Sequence, residues 1–236
     1  MSVTSWFVLA PLATLFCLFL RLYFVLPPSR TRQARKRTEP CHTAVFLGSG
    51  GHTSEALMLM SALDFSRYSP RTYIISEGDS LSAQKAIDLE NRKDLVRLSL
   101  THRAPDKSYT ILTIPRARRV HQSIITTPPT ALWSLLACVY HVTIVPFLSR
   151  SSHGPIFADV LILNGPGTCF VLCLAVYLNK CFGLPSPKLI YVESFARVRS
   201  LSLSGKLLRP LVDRFVVQWP TILNDGGRGD YRGWLV

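Results

Sequence analysis

From residue 43 onward, short apolar runs alternate with segments of helical spacing. Residues 43–47 read as a buried strand, followed by a glycine-rich turn and a helix from about 53 to 63. Residues 71–76 form a second predicted strand, 79–91 a polar-faced helix and 95–100 a third strand, leaving 101–120 as a long basic loop. A helix is predicted from 128 to about 148 and a fourth strand over 159–163. A second glycine turn, Asn164-Gly-Pro-Gly-Thr168, then opens an apolar helix to about residue 181. Residues 188–193 and 214–218 are further strands, with 205–212 helical between them. Such alternation predicts βαβ units, an α/β fold with a parallel sheet covered by helices on both faces. Ligands collect at the carboxyl ends of strands in such sheets, and there this sequence places its glycines.

The segment before residue 43 has a different pattern. Residues 6–26 are apolar apart from Pro11, Thr14 and Arg21, a run long enough to cross a bilayer core of roughly 30 Å. Arg21 lies near its end, where the stem can carry the charge to the interface. Residues 1–5 carry no charged side chain, and the run leads into Pro27-Pro28 and a basic cluster, features of an uncleaved anchor rather than of a signal peptide. The predicted organisation is therefore an anchor over 1–28, a basic linker over 29–42, a domain over 43–220 and a tail over 221–236. The positive-inside rule places Arg30 onwards in the cytosol. The apolar run 131–148 contains Tyr140, His141, Thr143 and Pro146, which favour a buried or membrane-surface helix over a second span.

Charge alters the picture less than its size suggests. Lys and Arg number 27 against 14 Asp and Glu, a net +13 over 236 residues. Five of the basic residues cluster at Arg30, Arg32, Arg35, Lys36 and Arg37, and without them the balance is 22 against 14, or +8. The remainder is spread along the chain without interleaved aromatics, so membrane lipid or a diphosphate fits as well as nucleic acid. The six cysteines show no disulfide framework and no ligand-pair spacing, and Cys169 with Cys173 reads as core.

The first glycine loop carries the clearest chemistry. Gly48-Ser49-Gly50-Gly51-His52-Thr53 matches neither the Walker loop, which ends Gly-Lys-Ser/Thr, nor the dinucleotide form, which needs a glycine where Thr53 stands. Its glycines let backbone amides approach a ligand, and the helix N-terminus behind them favours negative charge. His52, at the helix start, either serves as a general base for an attacking hydroxyl or makes a capping or orienting hydrogen bond. Glu55 is placed to support the turn or orient His52. The second loop, with Asn164, Gly165, Gly167 and Thr168, would surround the same anion from the neighbouring strand, unless Thr168 simply caps its helix. Glu193, beside Ser194, Arg197 and Arg199, ends another strand. There the carboxylate would meet a sugar hydroxyl and the arginines phosphate or lipid, or the group is a solvated charged loop.

Together these residues resemble a known family. The segments Leu47-Gly-Ser-Gly-Gly-His-Thr-Ser-Glu55, Asn164-Gly-Pro-Gly-Thr-Cys169, Tyr191-Val-Glu-Ser194, Ser202-Leu-Ser-Gly-Lys206, Phe215-Val-Val-Gln-Trp-Pro220 and Tyr231-Arg-Gly-Trp-Leu-Val236 resemble, in order, the asparagine-linked glycosylation fourteen family. That family is the membrane-anchored subunit of the two-part UDP-GlcNAc transferase of dolichol-linked glycan synthesis. The chain is also similar to the acceptor half of MurG-type GT-B glycosyltransferases. The resemblance implies one transmembrane helix followed by one Rossmann-like domain, the N-terminal half of a GT-B enzyme, inactive alone. A separate soluble subunit would bind UDP-GlcNAc and be recruited to the cytosolic face of the endoplasmic reticulum, with the nuclear envelope membrane as a further location. The pair would add GlcNAc to GlcNAc-diphospho-dolichol. No metal, cofactor or nucleic acid is expected, in keeping with the lack of an Asp-x-Asp motif.

On that resemblance, Gly48, Ser49, Gly50, Gly51, Thr53, Asn164, Gly165, Gly167 and Thr168 hold the acceptor diphosphate or its sugar. His52 is the candidate base with Glu55 in support, Glu193 and Arg197 are further sugar or phosphate contacts, and Tyr231, Trp234, Leu235 and Val236 meet the partner. Two alternatives stay open: a purely structural membrane scaffold, and a nucleotide-dependent oxidoreductase or methyltransferase, against which the missing third glycine argues.

Overall fold

The computed structural model describes residues 12, 15–17, 19–27, 40–101, 108–118, 122–123, 125–148, 156–165 and 167–235. The strands are β1 (Thr43–Leu47), β2 (Arg71–Ser76), β3 (Tyr109–Ile114), β4 (Val160–Asn164), β5 (Lys188–Val192), β6 (Arg214–Val217) and β7 (Asp230–Tyr231). The helices are α1 (Gly51–Ser61), α2 (Ser80–Thr101), α3 (Thr127–Leu148), α4 (Thr168–Phe182) and α5 (Leu203–Leu208). All seven strands pair in parallel in the order β3-β2-β1-β4-β5-β6-β7. The expected α/β architecture is present, and the order reverses direction between β1 and β4. That switch point is where open parallel sheets bind ligands.

Strand alternation builds two cores. Ala44 and Phe46 of β1 face α3, α4 and α5, whereas Val45 and Leu47 face α1 and α2. The second core is tied by a buried ion pair: Arg71 meets Glu90 through Nε at 2.7 Å and Nη2 at 2.9 Å, and Tyr73 donates its hydroxyl to Glu90 at 2.7 Å. Truncating one partner of such a pair strands the other charge. Glu90→Ala is expected to cost about 3–5 kcal/mol, read as a fall in the thermal unfolding midpoint of the detergent-solubilised chain.

Three expectations along the chain are corrected. Residues 95–100 are not a strand but the last turns of α2, a 22-residue helix. No glycine or proline interrupts α2, and Leu95, Val96 and Leu98 are exposed, so nothing there supports a buried strand. The third strand lies instead within the expected basic loop, where Tyr-Thr-Ile-Leu-Thr-Ile, rich in β-branched residues, pairs with β2 from Arg71↔Tyr109 to Ser76↔Ile114. Helix α5 spans Leu203–Leu208 rather than 205–212, and its N-cap Ser202 accepts the Gly205 N–H at 2.9 Å. The short β7 falls in the tail and had no expected counterpart.

Helix α3 contains a π segment at Tyr140–Ile144. Pro146 has no N–H to offer Val142, and the Val142 carbonyl instead accepts Asn179 Nδ2 at 3.4 Å. Asn179 Oδ1 in turn accepts the Thr143 hydroxyl at 2.6 Å, fastening α3 to α4. Of the expected anchor over 1–28, residues 1–11, 13, 14, 18 and 28 fall outside the described residues. Its described residues from Leu15 to Val25 are helical and end with Val25 and Leu26 packed on the α3–α4–α5 core. Arg21 donates to the Cys181 and Lys180 carbonyls at 2.9 and 3.2 Å, placing a cation on the negative end of α4. The linker expected over 29–42 lies outside the described residues as far as residue 39.

Candidate functional site

A cleft of about 900 Å³ opens at the carboxyl edge of the sheet, over the β1/β4 switch point. Its polar wall includes Gly48, Ser49, His52, Glu193, Ser194 and Arg197, and its apolar wall includes Ala131, Phe170, Val171, Leu203 and Leu207. The first wall comes from the ends of β1 and β5, the second from α3, α4 and α5. The cleft therefore offers both groups that suit a polar or anionic moiety and side chains that suit hydrocarbon.

The first glycine loop is shaped by its packing. A Cβ on Gly48 would lie 2.8 Å from that of His52 and 3.1 Å from the Asn164 carbonyl, so β1 and β4 end in backbone contact. Gly50 is the N-cap of α1 at φ 68°, a conformation that favours glycine, and supplies no side-chain cap. The first amides of α1 thus lack intrahelical partners. The helix starts at Gly51, two residues before its expected beginning, which brings His52 into the first turn. At Gly50 and Gly51 a Cβ would meet open space; both are exposed, and of this loop it is Gly48, Ser49 and His52 that line the cleft.

His52 is held by a chain of polar contacts across three strand ends. Its Nδ1 lies 2.9 Å from Asn164 Oδ1, Asn164 Nδ2 donates to Glu55 Oε2 at 3.0 Å, and the Ser194 hydroxyl donates to Glu55 Oε1 at 2.8 Å. The carboxylate accepts only, so it fixes the amide with its NH2 toward Glu55 and its oxygen toward the imidazole. Nδ1 must then carry the proton, and in the neutral ring Nε2 is left with its lone pair. This is the tautomer a general base needs, with one nitrogen tethered and the other free to accept. Asn164 is fully buried and His52 half-buried, so the tether sits inside the protein and the ring at its surface.

The other expected residues divide. Thr53 is buried, with its hydroxyl donating to the Gly48 carbonyl and meeting Ser82 at 2.6 Å, so its side chain fastens the loop and does not reach the cleft. Thr168 does not cap α4, whose N-cap is Gly167; its hydroxyl accepts the Ala117 N–H at 3.4 Å and joins the second loop to the segment after β3. Gly165, at φ 128°, lies against Gly48, where a Cβ would sit 3.3 Å from the Gly48 Cα.

Glu193 lines the cleft but is nearly fully buried, and it is already engaged: Oε1 accepts the Ser194 N–H and Oε2 accepts the Ser202 N–H and hydroxyl at 3.1 and 3.0 Å. It is not part of a solvated charged loop, whereas Arg197 is exposed on the rim. Beside Glu193, burial and then its carboxylate push the Tyr191 phenol far above its usual range, so Tyr191 stays neutral.

The tail does not hang free. Trp234 packs against Trp219 and Phe195 at ring distances of 5.5 and 5.9 Å, and the Leu235 N–H donates to Gln218 Oε1 at 3.1 Å. Gln218 Nε2 donates onward to the Glu193 carbonyl at 3.2 Å, linking tail and cleft wall. Trp234 nevertheless remains 67% exposed and Tyr231 is exposed beside it. Val236 lies outside the described residues.

Several residues were not assigned to the cleft from sequence: Arg116, Tyr191 and Ser202 line it, and Ser194 anchors Glu55. Ser194 and Ser202 fall within recognised segments, but nothing in their spacing signals a joint role. Arg116 was assigned to a loop whose strand went unseen.

A Rossmann-like parallel sheet, glycine turns meeting at its switch point and a tethered histidine define an α/β domain with a cleft at its strand ends. Comparison with known proteins narrows this class. A family model described as "Oligosaccharide biosynthesis protein Alg14 like" matches residues 43–235. The chain is 46% identical to the UDP-N-acetylglucosamine transferase subunit ALG14 of Cryptococcus neoformans over 234 residues, covering 98% of this chain and 97% of that one. The proteins of the same name from Schizosaccharomyces pombe and Mus musculus are 44% and 37% identical, over 86% and 93% of this chain and 87% and 92% of theirs. The chain belongs to the Alg14 family.

Proposed function

We propose that this chain is the acceptor-side, membrane-anchoring subunit of a UDP-GlcNAc transferase that extends a lipid-linked GlcNAc diphosphate. The observation that carries the reading is the mixed lining of the cleft, where glycine loops and a tethered imidazole share one cavity with apolar side chains of three helices. An amphiphile with a diphosphate-linked sugar and an isoprenoid chain matches that lining, as GlcNAc-diphospho-dolichol does. The described residues form one sheet, so the nucleotide sugar would be held by a second, soluble subunit completing a GT-B pair, in line with relatives named as transferase subunits. The chain would lie in the endoplasmic reticulum membrane, and extend to the nuclear envelope, with its domain in the cytosol.

In this reading the first glycine loop, through Gly48 and Ser49, and the second, through Gly165 and Gly167, meet the diphosphate, with Arg197 at the rim. His52 Nε2 takes the proton from the acceptor hydroxyl as that oxygen bonds to the sugar anomeric carbon. The anomeric bond to phosphate breaks, and its electron pair leaves with UDP. Asn164 and Glu55 act as positioning residues. The test is reconstitution of the full chain in liposomes with the soluble subunit, GlcNAc-diphospho-polyprenol and labelled UDP-GlcNAc. Transfer is expected only when both proteins are present. Equal transfer by the soluble subunit alone would leave this chain a scaffold.

A further inference from the structure

Helix α3 shows two opposed rows. Ser134, Cys138, Val142 and Pro146, four residues apart, are buried against the domain. Two residues out of step, and so about 200° around the helix, Leu132, Leu136, Tyr140, Ile144 and Leu148 are all exposed. Trp133 and Phe147 widen this outer row, and no Asp, Glu, Lys or Arg occurs anywhere in Thr127–Leu148. The row runs about 24 Å from residue 132 to 148 at 1.5 Å per residue. A contiguous apolar ridge of that length facing water is unusual for a soluble domain and marks a contact surface.

We propose that this outer face of α3 lies in the interfacial layer of the bilayer, as a second membrane contact beside the N-terminal segment. Three observations select lipid as the occupant. The described end of the N-terminal apolar helix sits on the same layer: Arg21 holds the last turn of α4, and Asn179 in that turn bonds Thr143 of α3. The face carries Trp133 and Tyr140, aromatic side chains with a polar tip that favour the headgroup level, and Arg116 and Arg118 precede the helix, suited to an anionic surface. The first turns of α3 also supply Thr127 and Ala131 to the cleft, so a chain drawn from the bilayer reaches the apolar wall along the same helix. Pro146 and its π segment keep the helix on the domain rather than across the membrane, because the Val142 carbonyl and the Thr143 hydroxyl are engaged with α4.

The inference extends the proposed acceptor-side role but is tested apart from it. The full chain is placed in proteoliposomes containing phosphatidylcholine with a diazirine in its acyl chain, photolysed, and mapped by peptide mass spectrometry. Adducts are expected within residues 127–148 as well as within 1–28, and Leu136→Glu combined with Ile144→Glu should lower the former at least tenfold with the latter unchanged. Adducts confined to 1–28 would overturn the α3 contact and leave the anchor standing. Adducts confined to 127–148 would support the contact and remove the anchor. Loss of the α3 adducts on adding the soluble subunit would make this face a protein interface and overturn the inference.

Discussion

His52→Ala should lower transfer in the reconstituted pair by about 10²- to 10⁴-fold, the range general-base removal produces. The loss should fall on kcat rather than on the KM for UDP-GlcNAc, since the imidazole sits on the acceptor side of the proposed pair. The tether makes the expectation more specific. Asn164 holds Nδ1 at 2.9 Å and is itself oriented by Glu55, so Asn164→Ala should reproduce part of the His52→Ala loss while leaving the imidazole in place. Asn164 is buried at the end of β4, and its removal also leaves the Glu55 carboxylate short of a donor. Steady-state rates for both variants, with and without the other substitution, decide the matter. If His52 and Asn164 act as one unit, the double variant is no slower than His52→Ala alone. A His52→Ala rate within twofold of the unaltered protein would assign the base to the partner.

Deleting residues 233–236 should abolish recruitment of the soluble subunit, and Trp234→Ala should weaken it by about 2 kcal/mol or more, roughly 30-fold in Kd. The tail is tied to its own domain through the Leu235 N–H and the Trp219–Trp234 contact, yet the Trp234 ring is left mostly in solvent. A ring packed against Trp219 and Phe195 yet mostly exposed is preorganised for a partner, because its ordering is already achieved within the chain. Co-precipitation beside protease resistance separates the outcomes. Retained recruitment would reject the interface, and loss of the domain's own resistance would show that the tail serves only the fold.

The glycine loops, β1, β2, β4, β5 and β6 were legible because apolar runs bounded by turn residues have few other readings. Residues 95–100 were misread because Leu-Val-Arg-Leu-Ser-Leu alternates like a strand, and only the unbroken helix upstream determines its conformation. β3 was hidden for the opposite reason, being a short apolar run between basic segments. At the site, sequence brought out His52, Glu55 and Asn164 as separate members of two loops. The hydrogen bonds joining them depend on β1 and β4 lying side by side, which local pattern does not encode. Thr53 shows the converse limit: its place in the motif suggested a ligand contact, but its hydroxyl faces inward to Gly48 and Ser82.

The pairing of β1 with β4 has a consequence for synthesis. Leu47 pairs with Asn164, 117 residues later (164 − 47). At about 5–20 residues per second, roughly 6 to 23 s separate the two strands as they are made. For that time β1, an interior strand of the finished sheet, has an open edge available for mispairing. The His52–Asn164 contact cannot form before this interval ends, and Ser194, which holds Glu55, is made later still.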